Sequence, residues 1–322
     1  MLTNPLFSTI HRRIVAFAGG VGGAKLAHGL AQNLAPEELT IVVNTGDDFE
    51  HYGLYICPDL DTVCYTLAGL ANPETGWGRV NETWNAIGNA ARLGGPGWFN
   101  LGDQDMGTHL ERTRRMRDGQ CLSELTRDFC SAWGIQHTVL PMSDSPVRTI
   151  VETEEGDLGF QEYFVHRRCE PRVKGFRFEG VDKAVPAPGV VEAIQSAEAV
   201  IFCPSNPWVS IDPILKTLAP LHPLLEFGLR VVAVSPIIGG QTVKGPAAKM
   251  YRELGIDPSA LAVANHYRGL VTDFVLDAID KQLQGEIQGL NMHAHVTNTL
   301  MTSHDERSRL AQEIIGFIGN KL

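Results

Sequence analysis

The sequence predicts an α/β fold: a parallel sheet flanked by helices, with the middle of the chain inserted into it. Short apolar runs alternate with helical stretches in the first third, a glycine-rich turn joins the first run to its helix, and the same rhythm returns from Val190 onward. Ile14–Ala18 reads as a buried strand, residues 24–34 as the helix after it, and residues 39–44 as the second strand. Pro58 announces a helix over residues 59–70, with Asp59 as its expected cap. Further helices are expected over residues 82–92, over 104–117 (ended by Gly119) and over 122–133 (ended by Gly134).

The middle of the chain differs in character. Arg148–Thr153 and residues 158–165 alternate about Glu154-Glu155-Gly156-Asp157, a hairpin signature. The α/β rhythm then resumes with a helix at Val190–Gln195, strands at 199–203 and 230–235, and a helix at 246–254. Ser303-His304-Asp305-Glu306 fits a capping box that opens the last helix. The core is therefore assigned to residues 1–75 and 186–322, with 76–185 as an inserted helical and β-hairpin region that completes the substrate site.

Composition excludes several function classes. The apolar runs are far too short to span a bilayer, and the mixed residues 1–13 carry no secretory leader, so a cytoplasmic protein is expected. Six cysteines without a CxxC pair argue for reduced thiols rather than a disulfide framework or zinc ribbon. A net charge of −10 argues against nucleic acid or anionic membrane as partners.

The strongest local feature is Gly19-Gly20-Val21-Gly22-Gly23-Ala24-Lys25, after a strand and opening a helix. Glycines there let backbone N–H groups and the helix dipole meet an anion, although a tight turn would also demand small residues. Lys25 occupies the place of the third glycine of a dinucleotide fingerprint, and Leu26 that of the magnesium-holding hydroxyl of a Walker A loop. The second strand ends in Asn44-Thr45-Gly46-Asp47-Asp48, where paired acids suit Mg²⁺ or a solvated turn. Two more acidic clusters, Asp59-Leu60-Asp61 and Asp103-Gln104-Asp105, sit at helix starts, where they either cap or act. Three carboxylate clusters beside one glycine loop suit metal-assisted phosphoryl-type transfer. Pro204-Ser205-Asn206-Pro207 and Ser235-Pro236-Ile237-Ile238-Gly239-Gly240 follow strands and suit base or phosphate recognition, or are ordinary turns. His109 lies near Asp103 and Asp105, within reach of a substrate. His293 and His295, on an expected strand, lack ligand partners nearby.

Together these segments resemble the 2-phospho-L-lactate transferase family of coenzyme F-420 biosynthesis. The matching stretches are residues 18–26 (AGGVGGAKL), 42–48 (VVNTGDD), 57–67 (CPDLDTVCYTL) and 101–109 (LGDQDMGTH). They continue through 140–146 (LPMSDSP), 204–207 (PSNP), 234–239 (VSPIIG) and 300–303 (LMTS), in order along nearly the whole chain.

The resemblance implies a Rossmann-like core, a homodimer and a requirement for Mg²⁺. It also implies transfer of a three-carbon phospho-acid from a guanosine-diphosphate-linked donor to the ribityl hydroxyl of the deazaflavin Fo, with GMP leaving. On that basis Asp48 and Asp61 are expected to hold the metal and carry catalysis, and Asp61 to orient the acceptor hydroxyl. Asp61, Asn100, Asp103 and His109 are expected to bind Fo, although relatives often carry a basic residue where Asn100 stands. Gly20, Gly22, Gly23, Lys25, Ser205, Asn206 and Gly239 are expected to bind the nucleotide and its phosphates. The donor is a phospholactyl, enolpyruvyl or phosphoglyceryl compound. Two alternatives compete. A nucleotide-sugar-binding regulator of the same superfamily shares the glycine loop but carries a PPGD-type segment in place of CPDLDT. A nicotinamide oxidoreductase is opposed by Lys25 and by Asn44 at the end of the second strand.

Overall fold

A computed structural model describes residues 13–219 and 228–319. Seven strands form its main sheet: β1 Ile14–Ala18, β2 Leu39–Val43, β3 Thr138–Pro141, β4 Ala199–Phe202, β5 Arg230–Val234, β6 Asp273–Asp277 and β7 His293–Thr297. They lie in the order 3-2-1-4-5-6-7, and every neighbouring pair is parallel. This is the Rossmann-like α/β core.

Both faces of the sheet are covered, so the strands are apolar on successive residues rather than alternately. Val15, Phe17, Val200, Phe202, Val231 and Ala233 face one core with the helices Val190–Gln195, Asp212–Leu218 and Ala260–His266. Ile14, Ala16, Ala18, Ile201, Val232 and Val234 face the other. That second core is closed by α1 Gly20–Ala31, α2 Pro58–Leu67, α5 Leu122–Ala132 and the C-terminal helix His304–Gly319. Between α2 and α5 run α3 Asn85–Arg92 and α4 Asp103–Arg117.

Most expected elements appear with shifted ends. α1 starts at Gly20, inside the glycine run, where the close approach of Pro204 and Ser205 leaves no room for a Cβ on Gly22 or Gly23. α2 starts at Pro58, whose missing N–H suits the first helical turn, so Asp59 lies inside the helix and Cys57 at the cap position. The last helix opens as expected: Ser303 Oγ accepts the Glu306 N–H (3.2 Å) and Glu306 Oε2 accepts the Ser303 N–H (3.1 Å). Arg148–Thr153 pairs with Gly156–Gly159, a shorter return strand than expected, and on its other side with the unforeseen Val173–Glu179. The span 76–185 is not wholly inserted, because β3 lies within it and forms an edge of the main sheet. Part of the expected core (1–12, 220–227, 320–322) lies outside the described residues.

Candidate active site

Strand order reverses between β1 and β4, which open α/β sheets use as the ligand crevice. The loops leaving these two strands are bonded to each other there. Ser205 Oγ donates to the Gly19 carbonyl (2.8 Å) and accepts the Gly19 N–H (3.2 Å). A cavity of about 720 Å³ opens over this junction, a size suited to a small-molecule site.

One end of the cavity is built by the glycine loop. A Cβ on Gly22 would stand 2.2 Å from the Pro204 carbonyl oxygen, and one on Gly23 2.6 Å from Ser205 Oγ. These glycines are thus required first by the approach of the 204–205 loop. The Gly20 N–H, expected to meet a phosphate, instead donates to Asp59 Oδ1 at 2.6 Å. Val21, Gly22 and Lys25 line the cavity, and α1 carries no side-chain cap. Lys25 donates to the Met301 carbonyl (2.8 Å). Ser205 and Asn206 also line it, Asn206 with its Oδ1 accepting the Trp208 N–H (3.1 Å).

Four acids gather below. Asn44, fully buried at the end of β2, donates from one amide nitrogen to Asp59 Oδ2 (2.9 Å) and Asp47 Oδ1 (3.4 Å), and so ties two carboxylates together. Gln161 donates to Asp47 Oδ2 (2.9 Å). Burial pushes the Asp59 carboxyl up to about 6 against its hydrogen bonds. Burial, with the neighbouring charges of Asp59 and Asp48, pushes Asp47 well above the carboxylate range. Asp48 lies behind the cavity wall. Its two oxygens are buried without a partner at full hydrogen-bonding geometry, and burial raises it strongly. For Asp48 the Cys57 thiol and the charge of Arg112 pull the other way, but burial outweighs them.

Asp61 has a different environment. Arg112, almost fully buried on α4, grips both its oxygens, one at 3.0 Å through Nη1 and the other through Nη2. Arg112 Nη1 also lies 3.1 Å from His109 Nδ1, so that nitrogen acts as an acceptor and the ring proton sits on Nε2, 3.3 Å from Asp105 Oδ1. Tyr65 donates to the same Asp105 oxygen (2.7 Å). Burial alone would raise the Asp105 carboxyl, but His109 and Tyr65 together hold it below its ordinary value. Ligand atoms of Asp61, Asp105 and His109 lie within 4.8 Å of one another. Around them the cavity is walled by Trp98, Phe99, Asn100, Phe160 and Phe164.

Besides Asp48, three expected site residues do not line the cavity. The Asp103 carboxylate is occupied by Thr83, Asn85 and the Ala86 N–H and ties α3 to α4. Gly239, in the left-handed region at φ +55°, donates its N–H to Asp280 and shapes its turn, while Ser235, Pro236 and Ile238 of the same loop reach the cavity. Gly23 packs rather than lines. Arg112 was missed, although its spacing of three from His109 on one helix face was the available signal.

The family model described as 2-phospho-L-lactate transferase CofD matches residues 14–316. A phosphoenolpyruvate transferase of Streptomyces griseus is 41% identical over 309 residues, covering 94% of this chain and 97% of that protein. A 2-phospho-L-lactate transferase of Methanosarcina mazei is 40% identical over 302 residues, covering 94% and 99%. Among solved structures, a upf0052-family protein of Bacillus halodurans superposes with a TM-score of 0.60 at 15% identity, covering 94% of this chain and 98% of that one, which shows a shared fold. No described helix is long and apolar enough to cross a membrane.

Proposed function

This chain belongs to the 2-phospho-L-lactate transferase family of coenzyme F-420 biosynthesis, and from that premise we propose the full reaction it performs. It transfers a phospho-carboxylic-acid group from a guanosine-diphosphate-linked donor to the ribityl hydroxyl of Fo, and GMP leaves. The observation that carries this reading is the polarity of the cavity: a glycine loop with Lys25 at one end, an aromatic wall at the other, and carboxylates between. Aromatic side chains offer the flat apolar faces that a tricyclic ring system needs. The first turn of α1, Lys25, Ser205 and Asn206 suit the charged nucleotide half.

Mg²⁺ fits this chain. The raised carboxyls of Asp47 and Asp59, tied to one Asn44 amide, offer the two carboxylates that a hard cation uses beside substrate phosphates. Among the described residues, the group of three possible ligand residues within 4.8 Å of one another is Asp61, Asp105 and His109. Asp47 and Asp59, which line the cavity, would hold it, with Asp48 supporting them from behind. When bound, it supplies charge neutralisation at the donor diphosphate. Asp61, the other expected ligand, keeps a lone pair on each oxygen beside its Arg112 contacts and would also position the acceptor. A remaining lone pair accepts the hydrogen bond of the ribityl hydroxyl and aims it at phosphorus. In such transfers alignment and electrostatics do most of the catalytic work. Replacing Asp61 by Asn is expected to lower turnover at least about 100-fold. Turnover within a few-fold of wild type, measured with purified substrates, would remove Asp61 from the mechanism. A homodimer is the proposed assembly, to be checked by light scattering.

A further inference from the structure

A second group of charges lies beside Lys25, away from the acidic cluster. His28 stands three residues after Lys25 on α1, and His304 and Arg307 are three apart on the C-terminal helix, so each pair shares a helix face. The two helices are in close contact: a Cβ on Gly29 would lie 2.2 Å from the Arg307 carbonyl oxygen. The His28 and His304 rings meet edge to face at 4.8 Å.

Among the described residues, none of these four cationic or ionisable side chains forms an ion pair with a carboxylate. Arg307 Nε and His28 Nδ1 are both buried without a hydrogen-bond partner. The nearest acids serve elsewhere: Glu306 accepts from the Thr302 and Ser303 N–H groups, and Asp305 is exposed on the first helical turn. Burial, then the charges of Arg307 and His304, push the His28 imidazole down to about 4. Burial and the charges of Arg307 and Lys244 lower Lys25, against the pull of Glu306. A guanidinium cannot relieve such crowding by giving up its proton. An anion would satisfy both atoms and balance the charge, and Lys25, Met301 and Thr302 connect the cluster to the cavity wall.

We propose that Lys25, which lines the cavity, forms with His28 and Arg307 behind it an oxyanion subsite that takes a phosphate group, completed by His304 and the first turn of the C-terminal helix. Arg307 supplies a forked donor pair, Lys25 a point charge, and His28 an imidazole that gains a proton when the anion arrives. The phosphate comes from the guanosine-diphosphate-linked donor, in which respect this inference rests on the proposed reaction. Free phosphate would bind by the same chemistry.

The test is the His28 titration followed by NMR, assigned with His28→Gln, in inorganic phosphate, in GDP and in chloride of equal ionic strength. Phosphate is expected to raise the His28 pKa by about one unit or more, as an opposite charge in contact does. Arg307→Met should abolish the rise, and Arg307→Lys should restore part of it. A matching rise with GDP, and GDP binding about tenfold weaker in Arg307→Met, support the nucleotide as the source. A rise with phosphate alone supports the subsite but assigns it to free phosphate. An identical His28 titration in phosphate and chloride, in wild-type protein, overturns the subsite. Wild-type protein without transferase turnover would count against the reaction and leave the titration result standing, so the two failures are distinguishable.

Discussion

Arg112 decides what Asp61 can do. Replacing it by Met leaves a carboxylate buried without its counter-charge, which costs on the order of 3–5 kcal/mol. Urea unfolding is expected to show a correspondingly lower midpoint, and an unchanged midpoint would mean the pair is not the buried interaction described. The acids without such a partner have a different pH signature. Asp59 is raised from 3.8 to about 6, chiefly by burial, so the folded protein holds this proton more tightly than the unfolded chain. The stability gained is complete below the unfolded value and is lost as pH rises through about 6. Asp47 and Asp48, shifted the same way, extend the loss upward. Mg²⁺ is therefore expected to raise the melting temperature at about pH 8 and to do little at about pH 5. Equal shifts at both would contradict metal binding by these carboxylates. At this scale the sequence was legible in part. Runs of acids and glycines announce a site, but whether Asp103 faces the cavity or α3 depends on Thr83 and Asn85, twenty and eighteen residues away.

The glycine loop shows how an element serves two functions. The N–H groups of Gly19 and Gly20 are committed to Ser205 and Asp59, which leaves only the later amides of the loop for the proposed anionic ligand. Gly22→Ala would press a methyl group into the Pro204 carbonyl, which is expected to destabilise the fold by about 1–3 kcal/mol and to displace the loop after β4. Thermal unfolding together with turnover checks this. A variant as stable and as active as wild type would show that the two loops part easily. Elements bounded by strong signals, such as Ile14–Ala18 or the Ser303 cap, were readable because local chemistry fixes them. Thr138–Pro141, Val173–Glu179 and Asp273–Asp277 were not, being short or interrupted by charge and glycine. Their strand state is set by neighbours: Asp273, for instance, is buried only because Arg230 and His295 hold its carboxylate.

Over the whole molecule, the order 3-2-1-4-5-6-7 brings the glycine loop and the 204–207 segment together although 186 residues separate Gly19 from Ser205. The parallel rhythm was visible in the sequence because both faces of the sheet are apolar, whereas the edge position of β3 inside the supposed insertion is a long-range fact. The same topology sets the acidic cluster between a basic and an aromatic end, which is the basis of the proposed transfer. The most direct test is turnover by purified protein with Fo, Mg²⁺ and each of the phospholactyl, enolpyruvyl and phosphoglyceryl guanosine-diphosphate donors, with products followed by mass. The account predicts a phosphodiester-linked Fo product and stoichiometric GMP with at least one donor. No product with any of the three, from folded protein that binds both Fo and GDP, would contradict it.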